Sequence, residues 1–394
     1  MADGAPAPQA GGTSAPKAGR KQKPAKPAKP AKPHKRRRLW IVIVSIVVAL
    51  ALVGGGGFYW WQQQNSSPDA GPQVAAELPA GTPTLPAPPA PDALWPLTGI
   101  PMAADASSGP SLCIKIENAK AARPQLGIDH ADIMFEEVVE GGITRYMAVF
   151  QSDIPKQVEP VRSLRPMDPP LAKQFGCALV FSGGQAPFVS AAKSSGLTLI
   201  YQDHGDKGFS RDKKRSAPHN VVGDMATFMS AANKAKLTPP QQAFAYPDLG
   251  QASSIVAGGQ PVSRINITMS SVSKPHWVWN STRSVWLRYD DDKTKSTVVG
   301  GTQLYATNVL TLSVALVNTQ YKDPAHNPVP ETQIVGSGTG TFSAAGKSMP
   351  IHWSKASASQ PIVLTDAAGN PVTLVPGNTW VELVPKTGSV KTVA

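Results

Sequence analysis

Three short stretches of this chain concentrate side chains that can do chemistry. They are Glu136-Glu137-Val138-Val139-Glu140-Gly141-Gly142-Ile143-Thr144-Arg145, then Val161-Arg162-Ser163-Leu164-Arg165, then Phe209-Ser210-Arg211-Asp212 continuing to Ala217-Pro218-His219-Asn220. Arginine pairs such as Arg162 and Arg165 suit a carboxylate or a phosphate, because the planar guanidinium presents two parallel N–H groups to an oxyanion. On that ground Arg145, Arg162, Ser163, Arg165, Arg211, His219 and Asn220 are candidate ligand contacts. Glutamate beside histidine suggests proton transfer instead: Glu137, Glu140, Asp212 and His219 are the catalytic candidates, with Glu136 beside them. A carboxylate such as Asp212 near His219 would make it a usable acid or base near neutral pH. Ser163 lacks the Gly-x-Ser-x-Gly setting of an activated nucleophile. A structural ion-pair network among the same residues is the plainer alternative, and both readings stay open.

Strands and loops must carry these groups. In Asp132 to Val139 strand alternation sends Glu136 and Val138 to one side and Glu137 and Val139 to the other. Gly141-Gly142 supplies the positive φ of a tight turn into a second strand, Ile143 to Gln151. Leu112 to Ile116 and Ala178 to Phe181 also read as strands; Pro169 to Phe175, Pro187 to Ser194 and Met225 to Ala235 read as helical, the last capped by Asp224. Phe181-Ser182-Gly183-Gly184-Gln185 leaves a strand for a helix, and its backbone amides can hold an anion. This alternation predicts an α/β first domain over 94–240. Beyond it the texture changes to runs rich in Val, Ile, Thr and Trp separated by turns such as Asp366 to Asn370, which predicts a mainly β (α+β) second domain over 262–394.

The chain ahead of these domains is of another kind. Net charge is +12, but residues 1–38 hold 11 of the 38 basic residues and one of the 26 acidic ones, so 27 face 25 in the rest. Basic charge confined to a Lys-Pro-Ala tail argues against a nucleic-acid surface on the folded part and for a disordered cytoplasmic tail that meets anionic inner-leaflet lipid. Lys35 to Arg38 abut the apolar run that opens at Leu39 and ends on Phe58-Tyr59-Trp60-Trp61. Residues 39–61 match the length of one transmembrane helix, and the basic flank places the tail inside and the remainder outside. Residues 62–93, rich in Pro and Ala, then read as a linker. The expected location is therefore the cell membrane, single-pass, with the C-terminal domains extracytoplasmic. Cys113 and Cys177 fall in the exported part, where a disulfide can persist; two buried free thiols are the alternative. No cysteine pair or histidine spacing fits a metal, and no cofactor is expected.

Ile116-Glu117-Asn118, Ala122-Arg123-Pro124-Gln125, Ala131-Asp132, Glu140 to Arg145, Pro160 to Arg165, Gly183-Gly184, Arg211-Asp212 and Ala217-Pro218-His219-Asn220, in this order, resemble the YerB-like family of bacterial envelope proteins. Leu97-Thr98-Gly99 resembles that family's domain opening, and Gly336-Ser337-Gly338, Trp353 and Pro376 to Trp380 resemble its second domain. The resemblance implies an α/β domain followed by a strand-rich one, held outside the membrane by a lipid or a helix. It implies no reaction. This chain departs from many members in having an apolar helix instead of a lipidated cysteine, and in carrying Gly301-Thr302-Gln303 where a His-containing loop is expected. Two functions remain: binding of an anionic envelope glycan, peptide or envelope protein in aid of cell-wall assembly, or hydrolysis of a glycosidic or phosphodiester bond.

Overall fold

Alternating apolar residues on three neighbouring strands set up the centre of the molecule. In the computed structural model, which describes residues 93–103, 106–248 and 250–394, these are β1 (Leu112–Glu117), β2 (Ile133–Val138) and β3 (Thr144–Phe150). β3 lies between the other two and is antiparallel to both. All three strands are buried along their whole length, so their side chains alternate between two cores, one on each face of the sheet.

The sheet does not stop at these strands. On the far side of β1 come Ala178–Phe181 and Leu199–Tyr201, both parallel, with the helix Ala186–Ser194 as the crossover between them. On the far side of β2 the strand Thr379–Pro385 pairs in parallel, placing Trp380 opposite Met134, Val381 opposite Phe135 and Glu382 opposite Glu136. Asn308–Lys322, Gly336–Ala344, Lys347–Lys355 and Val363–Thr365 follow to the other edge, in a sheet of 12 strands. Strands from both halves of the sequence thus share one hydrogen-bonded sheet, within one compact unit.

A separate sheet of five strands, including Arg264–Thr268, His276–Asn280 and Val285–Tyr289, brings Trp277 and Trp286, both fully buried, to one face of the large sheet. Trp277 packs edge-on against Trp380, and Tyr146 against Trp380 likewise. Fully burying a large apolar side chain stabilises the fold by about 1.5–3 kcal/mol, so this aromatic layer is a main tie between the sheets.

The described residues form a mainly β, α+β fold, which corrects the α/β expectation for the first half. The reason is local: β1, β2 and β3 are linked by turns and short 3-10 segments, and a helical crossover joins only Ala178–Phe181 to Leu199–Tyr201. Met225–Lys234 is helical as expected, and Asp224 accepts from Thr227 N at 2.8 Å as its cap. The turn at Glu140–Gly142 forms with Gly141 and Gly142 at φ 67° and 75°. Cys113 and Cys177 are joined by a disulfide that ties β1 to the start of the next strand. The predicted tail, span and linker, 1–38, 39–61 and 62–93, lie outside the described residues apart from Ala93. No helix among the described residues is long and apolar enough to cross a membrane.

Candidate functional site

Register places three charged side chains in a row. Glu117 at the end of β1 is opposite Arg145, and Arg145 is opposite Glu137 on β2, so all three project from the same face of the sheet. Lys115, two residues before Glu117, shares that face. The surrounding face is apolar, lined by Cys113, Phe135 and Met147, so each charge needs a partner.

Most find one. Lys115 Nζ pairs with Glu137 and, at 2.8 Å, with Asp168 Oδ1. Asp168 opens the short helix Asp168–Ala172 and its other oxygen accepts from Arg165 N at 2.6 Å. Arg165 Nε donates to Glu140 Oε2 at 2.9 Å, and Arg162 Nε donates to Glu117 Oε1 at 3.1 Å. Glu117 Oε2 lies 2.9 Å from His219 Nδ1. Burial pulls the Lys115 ammonium down to about 8, against the opposing pull of Asp168.

Arg145 is the exception. It is 4% exposed, it belongs to no ion pair among the described residues, and its guanidinium donates through Nη1 to Ser163 O at 3.2 Å. Its Nε is buried with no hydrogen-bond partner. Burial, then the neighbouring Arg165 and Arg162 guanidiniums, push Arg145 down to about 9, with Glu140 and Glu117 opposing. The cluster's four cations face four carboxylates, but Lys115 takes two of them, so the Arg145 guanidinium is left without a contacting carboxylate. Arg162, Ser163 and His219 are partly open to solvent at its rim.

The structure thus gathers Glu137, Glu140, Arg145, Arg162, Ser163, Arg165 and His219 in one network. Arg211, Asp212 and Asn220 are used otherwise. Asn220 Oδ1 accepts from Arg211 Nη1 at 2.8 Å and Asn220 Nδ2 donates to Asp212 O and Arg215 O at 3.0 and 3.2 Å, closing the loop on itself. Asp212 Oδ1 accepts from Lys214 N at 2.8 Å. The carboxylate facing His219 is accordingly Glu117, which corrects the expectation of Asp212; Glu117 is remote in sequence and reaches His219 only because β1 runs beneath the loop. Lys115, Glu117 and Asp168 were not singled out from the sequence as part of the site. The signal for Lys115 and Glu117 was present in Leu112-Cys113-Ile114-Lys115-Ile116-Glu117, where charges alternate with apolar residues in a strand buried on both faces. The Gly183-Gly184 loop carries an anion of the chain's own: a Cβ on Gly183 would lie 1.7 Å from Asp203 Oδ2, so the carboxylate of Asp203 already occupies the approach.

Glu136 points to the opposite face, as alternation requires. It pairs there with Arg288 and accepts from Thr144 Oγ1 at 2.6 Å. Glu382, its neighbour in the sheet, accepts from Trp277 Nε1 at 2.9 Å. Burial and then the Glu136 carboxylate raise Glu382 well above the usual range, with Arg288 opposing.

Among the described residues no group of three or more His, Cys, Asp or Glu has the arrangement of a metal site. The arrangement leaves the Arg145 Nε–H without an acceptor and sets Glu117 Oε2 2.9 Å from one ring nitrogen of His219.

Residues 97–238 match the family described as protein of unknown function DUF3048, N-terminal domain, and residues 265–381 match its C-terminal domain. Over 88 residues the chain is 39% identical to a Bacillus subtilis protein described as "Putative lipoprotein YerB"; the match covers 22% of this chain and 27% of that relative. The crystal structure of YerB protein from Bacillus subtilis superimposes with a TM-score of 0.65 at 22% identity, covering 76% of this chain and 100% of that one. At that identity the likeness concerns the fold.

Proposed function

We propose that this chain, which belongs to the DUF3048 family, works in the bacterial cell envelope outside the cytoplasmic membrane, where it binds the carboxylate or phosphate of an envelope glycan or peptide. The observation that carries this reading is Arg145: a buried guanidinium flanked by two others, with no carboxylate of its own and an unpaired Nε. An incoming oxyanion would relieve the repulsion and supply the missing acceptor. Binding is favoured over hydrolysis because Glu117, Glu137 and Glu140 are each engaged by a cation, leaving none free as a general acid. The envelope location draws on the basic tail ahead of the apolar residues 39–61, on the Cys113–Cys177 disulfide, and on the description of a relative as a lipoprotein. Tethering is by one helix over 39–61.

A second reading, hydrolysis of a glycosidic or phosphodiester bond, rests on the 2.9 Å contact between Glu117 and His219, which would hold the imidazole ready as a base. One experiment separates the two. Full-length protein in detergent is incubated with cell-wall fractions, and retention and release of soluble fragments are scored together. Retention without release, lost in Arg145→Met, is expected. Release that disappears in His219→Ala would replace binding with catalysis; neither retention nor release would remove both. Protease added to intact cells should digest the chain beyond Trp61, and full protection would overturn the location.

A further inference from the structure

The opposite face of the sheet carries a second polar construction, built from both matched segments. Asn118 Nδ2 donates to Thr144 Oγ1 at 2.8 Å, and Thr144 Oγ1 donates to Glu136 Oε1 at 2.6 Å. Glu136 pairs with Arg288, whose Nη1 donates to Asp290 Oδ1 at 2.9 Å. Asp290 Oδ2 lies 3.1 Å from Arg123 Nη1, and Arg123 Nε returns to Asn118 Oδ1 at 2.9 Å. Six side chains thus close a ring, four from the first segment and two from the second. Tyr146, Trp277 and Trp380 surround the Arg288 guanidinium with their rings 4.9–5.8 Å away, which fixes the ring's inner edge.

The outer edge of the ring, Asn118, Arg123, Thr144 and Asp290, lines a cleft of about 520 Å³. We infer that this cleft is a binding site for a segment of an acidic, hydroxyl-rich polymer, separate from the Arg145 cluster. Its walls combine side-chain hydroxyls, among them Ser271, Ser273 and Thr297, with Lys120, Lys274 and Lys295. These three lysines are exposed and in no ion pair among the described residues. The two acids of the cleft are already committed. Asp290 serves Arg123 and Arg288, and Asp291 accepts from Lys293 N and Thr294 N, both at 2.9 Å. Arg123 spends three donor contacts on Asn118 and Asp290, which leaves two of its roughly five N–H groups for a ligand.

Length points to a polymer. Arg123 and Pro124 also line a neighbouring cleft of about 650 Å³ that holds Arg211 and Lys214, together with Glu159 and Asp212, both facing Arg215, so the two clefts share a wall. A small ligand fills about 300–1,000 Å³, and the pair together exceeds that range. Side-chain hydroxyls beside unpaired ammonium groups match saccharide rings carrying carboxylates at intervals.

The test measures binding of three soluble polymers to the full-length protein: polygalacturonate, polyphosphate as an anion without hydroxyls, and amylose as a neutral glycan. Polygalacturonate is expected to bind most tightly, and more weakly as salt rises. The triple variant Lys120→Ala/Lys274→Ala/Lys295→Ala should weaken it about tenfold, whereas removing three exposed lysines outside the cleft, in Lys193→Ala/Lys234→Ala/Lys391→Ala, should leave it unchanged. Polyphosphate binding as tightly as polygalacturonate would reduce the site to bare charge and overturn the inference. Indifference to the triple variant, or absence of polygalacturonate binding, would also overturn it. Loss in Arg145→Met with retention in the triple variant would sink this site while leaving the Arg145 reading intact.

Discussion

Arg145→Met should make the protein more stable and less able to bind. The guanidinium is pushed down to about 9, far below its ordinary value, through burial first and then Arg165 and Arg162. Since the folded-state value lies below the unfolded one, the unfolded chain is the better proton binder between those limits. The penalty for keeping Arg145 charged is therefore present in full at pH 7 and relaxes only as pH climbs above about 9. At 1.36 kcal/mol per unit the gross cost is about 5 kcal/mol. Methionine forfeits the hydrogen bond to Ser163 O, about 1.5–3 kcal/mol for a charged donor, and fills most of the same volume with a flexible apolar chain. The net expectation is a gain of about 1–3 kcal/mol, or roughly 2–10 °C in Tm for a unit of this size. Urea unfolding at pH 7 measures it, alongside retention on cell-wall fractions. A loss of stability in Arg145→Met together with undiminished retention would show that Arg145 is an ordinary structural cation, and the reasoning would be refuted.

Two further outcomes follow from the same geometry. Cys113 and Cys177 are 64 residues apart, so removing the bond by a double Cys→Ala change should cost about 4 kcal/mol by loop-closure entropy; two titratable thiols in unreduced, denatured protein would contradict the bond itself. Burial raises Asp132 to about 6 from 3.8, opposed by hydrogen bonds from Ser152 and Gln151. Here the folded value is the higher, so this contribution to stability is present in full below about pH 4 and is lost as pH rises through 6. Asp132→Asn should flatten the stability profile by about 2–3 kcal/mol across that window, and an unchanged slope in urea melts between pH 4 and 6 would refute it.

Strand alternation alone separated Glu136 from Glu137, and the structure sets them on opposite faces, one against Arg288 and the other against Lys115. Local chemistry likewise gave the Asp224 cap and the glycine turn after Glu140, because each depends on residues within a few positions. The pairing of His219 with Glu117 was not legible, since it spans 102 residues and no periodicity encodes it. Nor was the choice of Arg145 as the cation left over, which depends on how Lys115, Arg162 and Arg165 divide the acids among themselves.

Composition and order of residues by themselves determined the basic tail, the apolar run at 39–61, the strand-rich texture and the crowding of arginine with glutamate. These are properties of neighbours along the chain, set by backbone periodicity and side-chain hydropathy. Only tertiary structure decided that Thr379–Pro385 would lie against β2, joining both halves in one sheet and bringing Arg288 to Glu136. Parallel pairing across more than two hundred residues is fixed by which apolar faces can be buried together, a global packing condition that no local stretch carries.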